Sequence, residues 1–264
     1  MSFNDKVVLV TGASAGIGKA IAILFAESGA RLAIVGRNAQ NLRAVADACA
    51  KDERPLEIVA DLSTDEGCER TAKETLERYG RLDVLINNAG VGARTNLLST
   101  DMAIFDKVFS TNVRGVYNLT RLLAPSLIET KGNIVNISSV MGTAVAVGVL
   151  PYSMSKAALD HFTRLIALEL APKGVRVNTV SPGVTVSELV QRLTGISDEQ
   201  YSDYLTDMAK GIPMRRVCQP EHVAKMVVFV ASEDCELVTG TVIKVDGGVD
   251  LAVESSEIKK QIQK

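Results

Sequence analysis

The chain has 264 residues, 47% of them hydrophobic, and a formal net charge of −2. That length and balance predict one large α/β domain spanning 1–264 with a sizeable core. With no basic run, nucleic acid is not an expected partner, and apolar stretches no longer than a strand leave no membrane span.

The four cysteines, Cys49, Cys68, Cys218 and Cys235, are scattered and form no C-x-x-C. Met1 to Lys6 has no signal-peptide character, so free thiols and a cytoplasmic location are expected. His161 and His222 lack metal-ligand spacing and read as structural. The tail, about 252–264, is polar.

Val7 to Val10 is an apolar run of the kind buried on both faces of a sheet. Thr11 to Gly18, T-G-A-S-A-G-I-G, follows at once, and a helical pattern opens after it. A glycine turn between strand and helix allows close backbone approach and points free N–H groups at a pyrophosphate. A second strand, Arg31 to Val35, ends at Gly36-Arg37-Asn38. A carboxylate there would take the ribose 2′-hydroxyl of NAD. Arg37 suits the 2′-phosphate of NADP instead, unless it is an ordinary surface arginine.

A helix with Leu42 and Val45 follows. Then come a strand from Leu56 to Ala60, a helix from about Thr64 to Tyr79, and the strand Val84 to Ile86. This alternation predicts a doubly wound parallel sheet of about seven strands with helices on both faces. Phe105 to Leu123 has helical periodicity, and Ile134 to Ile137 is another strand.

Tyr152 and Lys156 stand four residues apart just after Pro151, before a helical pattern from Ala157 to Leu170. They are predicted to share a helix face. An ammonium beside a phenol favours the phenolate, lowering the tyrosine pKa from about 10 towards neutrality. Taken alone, the pair also fits an ordinary helix surface.

In sequence order these motifs resemble the short-chain dehydrogenase/reductase family from Lys6 to about Gly248. They are T-G-A-S-A-G-I-G, D-L at Asp61, N-N-A-G from Asn87, Asn112, I-S-S ending at Ser139, and Y-S-M-S-K. V-N-T-V-S-P-G from Val177 and V-D-G-G from Val245 complete the series. Ser139 stands thirteen residues before Tyr152.

The resemblance implies that Tyr152 is the general acid/base. Lys156 would tune it and hold the nicotinamide ribose, Ser139 would orient the substrate oxygen, and Asn112 would hold a water linking Lys156 to solvent. Gly12, Ser14, Gly16, Ile17 and Gly18 would border the cofactor phosphates and adenosine ribose. Asp61 and Leu62 would meet adenine, and Asn88, Ala89 and Gly90 the adenosine. Pro182, Gly183 and Val184 would wall the nicotinamide, with Ser187 in place of a usual threonine. Asn87 would tie strands together.

Ala15 stands where many NADP-using members carry a basic residue, so NADP(H) rather than NAD(H) rests on Arg37, helped by Ser14 and Asn38. Cys218 replaces a common glycine and reads as structural. The family also implies a lid at about 187–215 and a homo-oligomer, a tetramer or dimer, built on the helices through Leu119 and after Tyr152.

The apolar residues of the lid and of Thr143 to Leu150, with Arg94 the one charge expected near the cleft mouth, suit a hydrophobic ketone or secondary alcohol, steroid-like or terpenoid. Any one of them could instead pack on a neighbouring subunit. The expected activity is that of an NADP-dependent carbonyl reductase. The alternative is a 3-oxoacyl-carrier-protein reductase, whose acidic partner would want a basic patch at the cleft. A non-catalytic dinucleotide sensor or scaffold is a rival of another kind, and it would be expected to show a broken catalytic set.

Overall fold

The computed structural model describes residues 1–50, 53–189, 191 and 196–252. The tail beyond Ala252 and the lid residues Val190 and Leu193 lie outside the described residues.

Seven parallel strands form one sheet in the order β3-β2-β1-β4-β5-β6-β7. They are β1 Val7–Thr11, β2 Arg31–Gly36, β3 Leu56–Val59, β4 Val84–Asn87, β5 Asn133–Ile137, β6 Arg176–Pro182 and β7 Val242–Val245. The helices are α1 Gly16–Glu27, α2 Ala39–Cys49, α3 Asp65–Tyr79, α4 Met102–Phe109, α5 Val116–Thr130, α6 Leu150–Leu170, α7 Asp198–Gly211 and α8 Pro220–Ala231.

Strand periodicity divides the core between two faces. Val8 and Val10 of β1 pack with Ile21 and Phe25 of α1 and Val223 and Val227 of α8. Val7 and Leu9 face the other way, onto a layer with Leu119 and Leu123 of α5, Ala72 of α3 and Leu170 of α6. Both faces are covered, which is why β1 reads as a continuous apolar run.

β1 lies between β2 and β4, so the chain winds outward on both sides of it. That is the switch point at which open α/β sheets leave a crevice beyond the strand ends. The loops after β1 and β4 border it. Asn87 joins neighbouring elements as expected: its Nδ2 donates to Asn136 Oδ1 at 2.8 Å and Thr120 Oγ1 at 3.1 Å.

The predicted helix through Phe105 to Leu123 is interrupted. Ser110–Gly115 forms a π-helical stretch between α4 and α5. The extra residue in that turn places the Asn112 side chain inward, where it is 1% exposed. Hydrophobic periodicity carries no signal for such a turn, since the apolar pattern resumes on both sides.

Candidate active site

A groove of about 310 Å³ lies at the switch point. Gly12, Ser14, Gly16, Ile17, Arg37, Asn38, Asp61, Leu62, Asn88, Ala89, Gly90 and Ser187 all line it. Thr111, Glu188 and Leu189 line the same wall; the sequence reading puts Leu189 in the lid but assigns no site role to Thr111 or Glu188. Glu188 adds a carboxylate to the wall that already holds Arg37 and Asp61. Gly18 is behind the wall, not on it: a Cβ there would overlap the Gly12 carbonyl oxygen. Gly12 has φ +65° and its Cα side meets Ala89, so no side chain fits.

The groove suits a dinucleotide on its own geometry. α1 begins beneath it, and its N-cap, Ala15, supplies no side-chain cap to the first-turn N–H groups. Those groups and the macrodipole favour an anion. Ser14 Oγ is buried and has no hydrogen-bond partner among the described residues. Arg37 Nη1 stands 3.6 Å from Asp61 Oδ2 at the far end, with both side chains about half exposed. Asp61 Oδ1 accepts from Ser63 N at 2.9 Å and Oγ at 2.8 Å. Asn38 is partly committed elsewhere: its Oδ1 caps α2 by accepting from Asn41 N at 2.9 Å.

The second half of the site grows from β5 and α6. Pro151 occupies the first turn of α6, where a missing N–H costs nothing. Tyr152 and Lys156 then lie on the buried face, 7% and 5% exposed. Lys156 Nζ donates to the Ile137 carbonyl at the end of β5, at 2.8 Å, and stands 5.7 Å from the Tyr152 ring centre. Ser139 caps a short turn after β5, accepting from Met141 N at 3.2 Å. Its hydroxyl faces the Tyr152 phenol. Asn112 reaches the same cluster, donating through Nδ2 to Ser155 Oγ at 3.0 Å. Ser155 Oγ in turn donates to the Tyr152 carbonyl at 2.7 Å.

The electrostatics correct one expectation. Burial raises the Tyr152 pKa above its ordinary value, and the Ser139 hydroxyl only partly opposes this. The Lys156 ammonium does not offset the burial. It is turned to the Ile137 carbonyl, and burial pushes it down to about 8 while Asp160 opposes the fall. The protein alone thus keeps the phenol protonated.

Pro182 ends β6, and Gly183 N donates to the Val245 carbonyl at 3.0 Å. Val184 follows, its carbonyl accepting from Cys218 N at 2.8 Å. The Cys218 thiol donates to the Val245 carbonyl at 3.2 Å, the structural role expected of it. Pro182, Gly183 and Val184 lie outside the groove wall. The lid is anchored by a contact no motif announced: Tyr201 on α7 accepts from Ser187 N at 2.9 Å and donates to Ser187 O at 3.2 Å. All four cysteines are free and buried. Among the described residues no His, Cys, Asp and Glu cluster could hold a metal, and no helix is long and apolar enough to cross a membrane.

A parallel sheet with a glycine-rich turn at its switch point defines a dinucleotide-binding α/β protein. The family model described as enoyl-(acyl carrier protein) reductase matches residues 12–250. Oxidoreductase UcpA of Escherichia coli (strain K12) is 37% identical over 253 residues, 94% of this chain and 95% of that protein. The 3-oxoacyl-[acyl-carrier-protein] reductase FabG of Thermotoga maritima is 34% identical over 255 residues, 94% of this chain and 99% of that protein. A Caenorhabditis elegans short-chain dehydrogenase/reductase of unknown function, solved with cofactor, superimposes with a TM-score of 0.89. It is 35% identical, covering 94% of this chain and 96% of that one. The chain belongs to the short-chain dehydrogenase/reductase family of oxidoreductases, which use nicotinamide dinucleotides and are commonly oligomeric.

Proposed function

We propose that the protein is an NADP(H)-dependent oxidoreductase that interconverts a carbonyl and a secondary alcohol, with a hydrophobic ketone as substrate. The observation that carries this reading is the convergence of Ser139, Tyr152, Lys156 and Asn112 beside the groove. A sensor that had lost catalysis would have no need to keep all four.

A bound nicotinamide dinucleotide supplies or accepts the hydride. Gly12, Ser14, Gly16, Ile17 and the start of α1 would hold its phosphates, with Gly18 packed behind. Asp61, Leu62, Asn88, Ala89 and Gly90 would hold its adenosine, and Lys156 its nicotinamide ribose. Pro182, Gly183, Val184 and Ser187 would border the nicotinamide. Arg37, beside Asn38, would take the 2′-phosphate.

Tyr152 gives its phenolic proton to the substrate oxygen in reduction and takes it back in oxidation. A phenol held protonated by burial is the form reduction needs. Ser139 donates to the same oxygen and fixes its position. Asn112 holds the π-helical turn against the cluster and, with Lys156, leads the proton path outward.

Val145 and Val147 are exposed apolar residues between Ser139 and Tyr152, which favours an uncharged, apolar substrate. The kinship with FabG keeps a 3-oxoacyl thioester as the second reading. A second copy of the chain would cover the apolar stripe of Tyr117, Leu165 and Leu168 on α5 and α6, exposed by 56%, 56% and 79%. Sedimentation as a monomer would refute that assembly.

The test is NADPH consumption with diketones and ketosteroids set beside 3-oxoacyl thioesters. Turnover of ketones with higher kcat/KM is expected. Preference for the thioesters would select the second reading, and turnover of neither class would defeat both.

A further inference from the structure

Asp160 lies one turn beyond Lys156 on α6 and is only 3% exposed. Neither of its carboxylate oxygens has a hydrogen-bond partner among the described residues. The side chain is pressed beneath the turn that follows Ser139, where a Cβ on Gly142 would overlap Asp160 Oδ2. A buried carboxylate without hydrogen bonds is costly, and an apolar residue of similar size would fill the space at no such cost.

Burial raises the Asp160 carboxyl above its ordinary range, and the Ser138 hydroxyl and three cations oppose the rise. Lys156 and Arg164 act on it from its own helix and Lys244 from β7. Lys244 is already ion-paired with Asp250. The Ser138 hydroxyl is beside it too, but donates to the Lys156 carbonyl at 3.3 Å. Lys156 is the cation with the most need of a counter-charge. It is buried, its neighbours around Gly90 and Asn112 are neutral, and its own bond goes to a neutral carbonyl. Asp160 is the acid that acts on it.

We propose that Asp160 is a positioning residue whose buried carboxylate is the counter-charge that keeps the Lys156 ammonium protonated and held at the end of β5. The inference rests on the proposed function only in placing Lys156 in the catalytic set.

The test is a carbon-13 NMR titration of the lysine side chains of the full chain without cofactor, the Lys156 signal being identified by its loss in Lys156→Arg. In the natural protein Lys156 should titrate near 8. In Asp160→Asn it should titrate about one pH unit lower, and the alkaline limb of the pH–kcat/KM profile should move down with it. Asparagine mimics a neutral carboxyl, so an unchanged titration would mean that the acid carries no charge felt by Lys156, and would overturn the proposal.

Should Asp160→Asn fail to fold, the aspartate carboxyl signals of the natural protein decide. Asp160 must be ionised at pH 7, and a carboxyl still protonated there overturns the proposal. The titration reads the lysine without turnover, so its failure leaves the role proposed for Tyr152 standing.

Discussion

Asn112 clamps Val91 from both sides: its Oδ1 accepts from Val91 N–H at 2.8 Å and its Nδ2 donates to Val91 C=O at 2.8 Å. The clamp joins the π-helical turn after α4 to the loop after β4, and Nδ2 also reaches Ser155 behind Tyr152. One side chain thus ties the groove wall to the catalytic helix. Asn112→Ala removes these partners while Val91 stays part-buried. Each orphaned backbone group costs about 1–3 kcal/mol. The expected result is about 2–4 kcal/mol lost in urea unfolding, with kcat reduced as well. Unchanged stability would mean the clamp contributes nothing.

Burial holds the Tyr152 phenol protonated and brings Lys156 down to about 8. The reductive rate should therefore be flat through neutral pH and fall above about 8, as the ammonium is lost. The oxidative rate needs the phenol as a base and should rise with pH over its own lower limb. Profiles of kcat/KM in both directions check this. A reductive rate that climbs from pH 7 to 9 would contradict it.

Lys156 should also leave a mark on stability. Its folded pKa, about 8, lies below the ordinary 10.5, so between those values the unfolded chain binds more protons. Stability then rises with pH across that window, by about 3 kcal/mol in all for this one group. Lys156→Met should lack the rise and weaken dinucleotide binding. Denaturant midpoints at pH 7 and pH 10 for both proteins provide the comparison. Parallel pH dependences would show that the ammonium is not strained by burial.

Cofactor choice turns on Arg37. Its exposed pairing with Asp61 at 3.6 Å is weak enough for a phosphate to displace. A charge-assisted bond is worth roughly 1.5–3 kcal/mol, so Arg37→Ala should cost about ten- to a hundredfold in NADPH affinity and spare NADH. Arg37→Asp should invert the preference. Titration with both dinucleotides tests this, and a natural protein that prefers NADH would contradict the assignment.

The parts of the fold written in strong local patterns were legible in the sequence. Val7 to Val10 is a fully buried strand because both faces of the sheet are covered. Arg37 lies directly after β2 because the glycine before it ends the strand. The groove residues followed from motifs that reflect backbone approach, as Gly12 against Ala89 does.

What the sequence hid depends on long-range packing. The π-helical turn at Asn112 leaves the apolar period intact on either side. The grip of Tyr201 on Ser187 joins residues whose chemistry is unremarkable alone. The raised Tyr152 pKa arises from burial, which no spacing of Tyr and Lys reveals. Asp160 reads as the polar position of an amphipathic helix until the turn carrying Gly142 folds over it.

The central claim is that Tyr152 carries the proton, and its most direct test is single-turnover reduction by Tyr152→Phe preloaded with NADPH. The substitution keeps the ring and removes the hydroxyl. The account predicts NADPH binding within a few-fold of the natural protein and a hydride-transfer rate lower by about 10²–10⁴. A variant that binds NADPH and reduces the same ketone at the natural rate would contradict it.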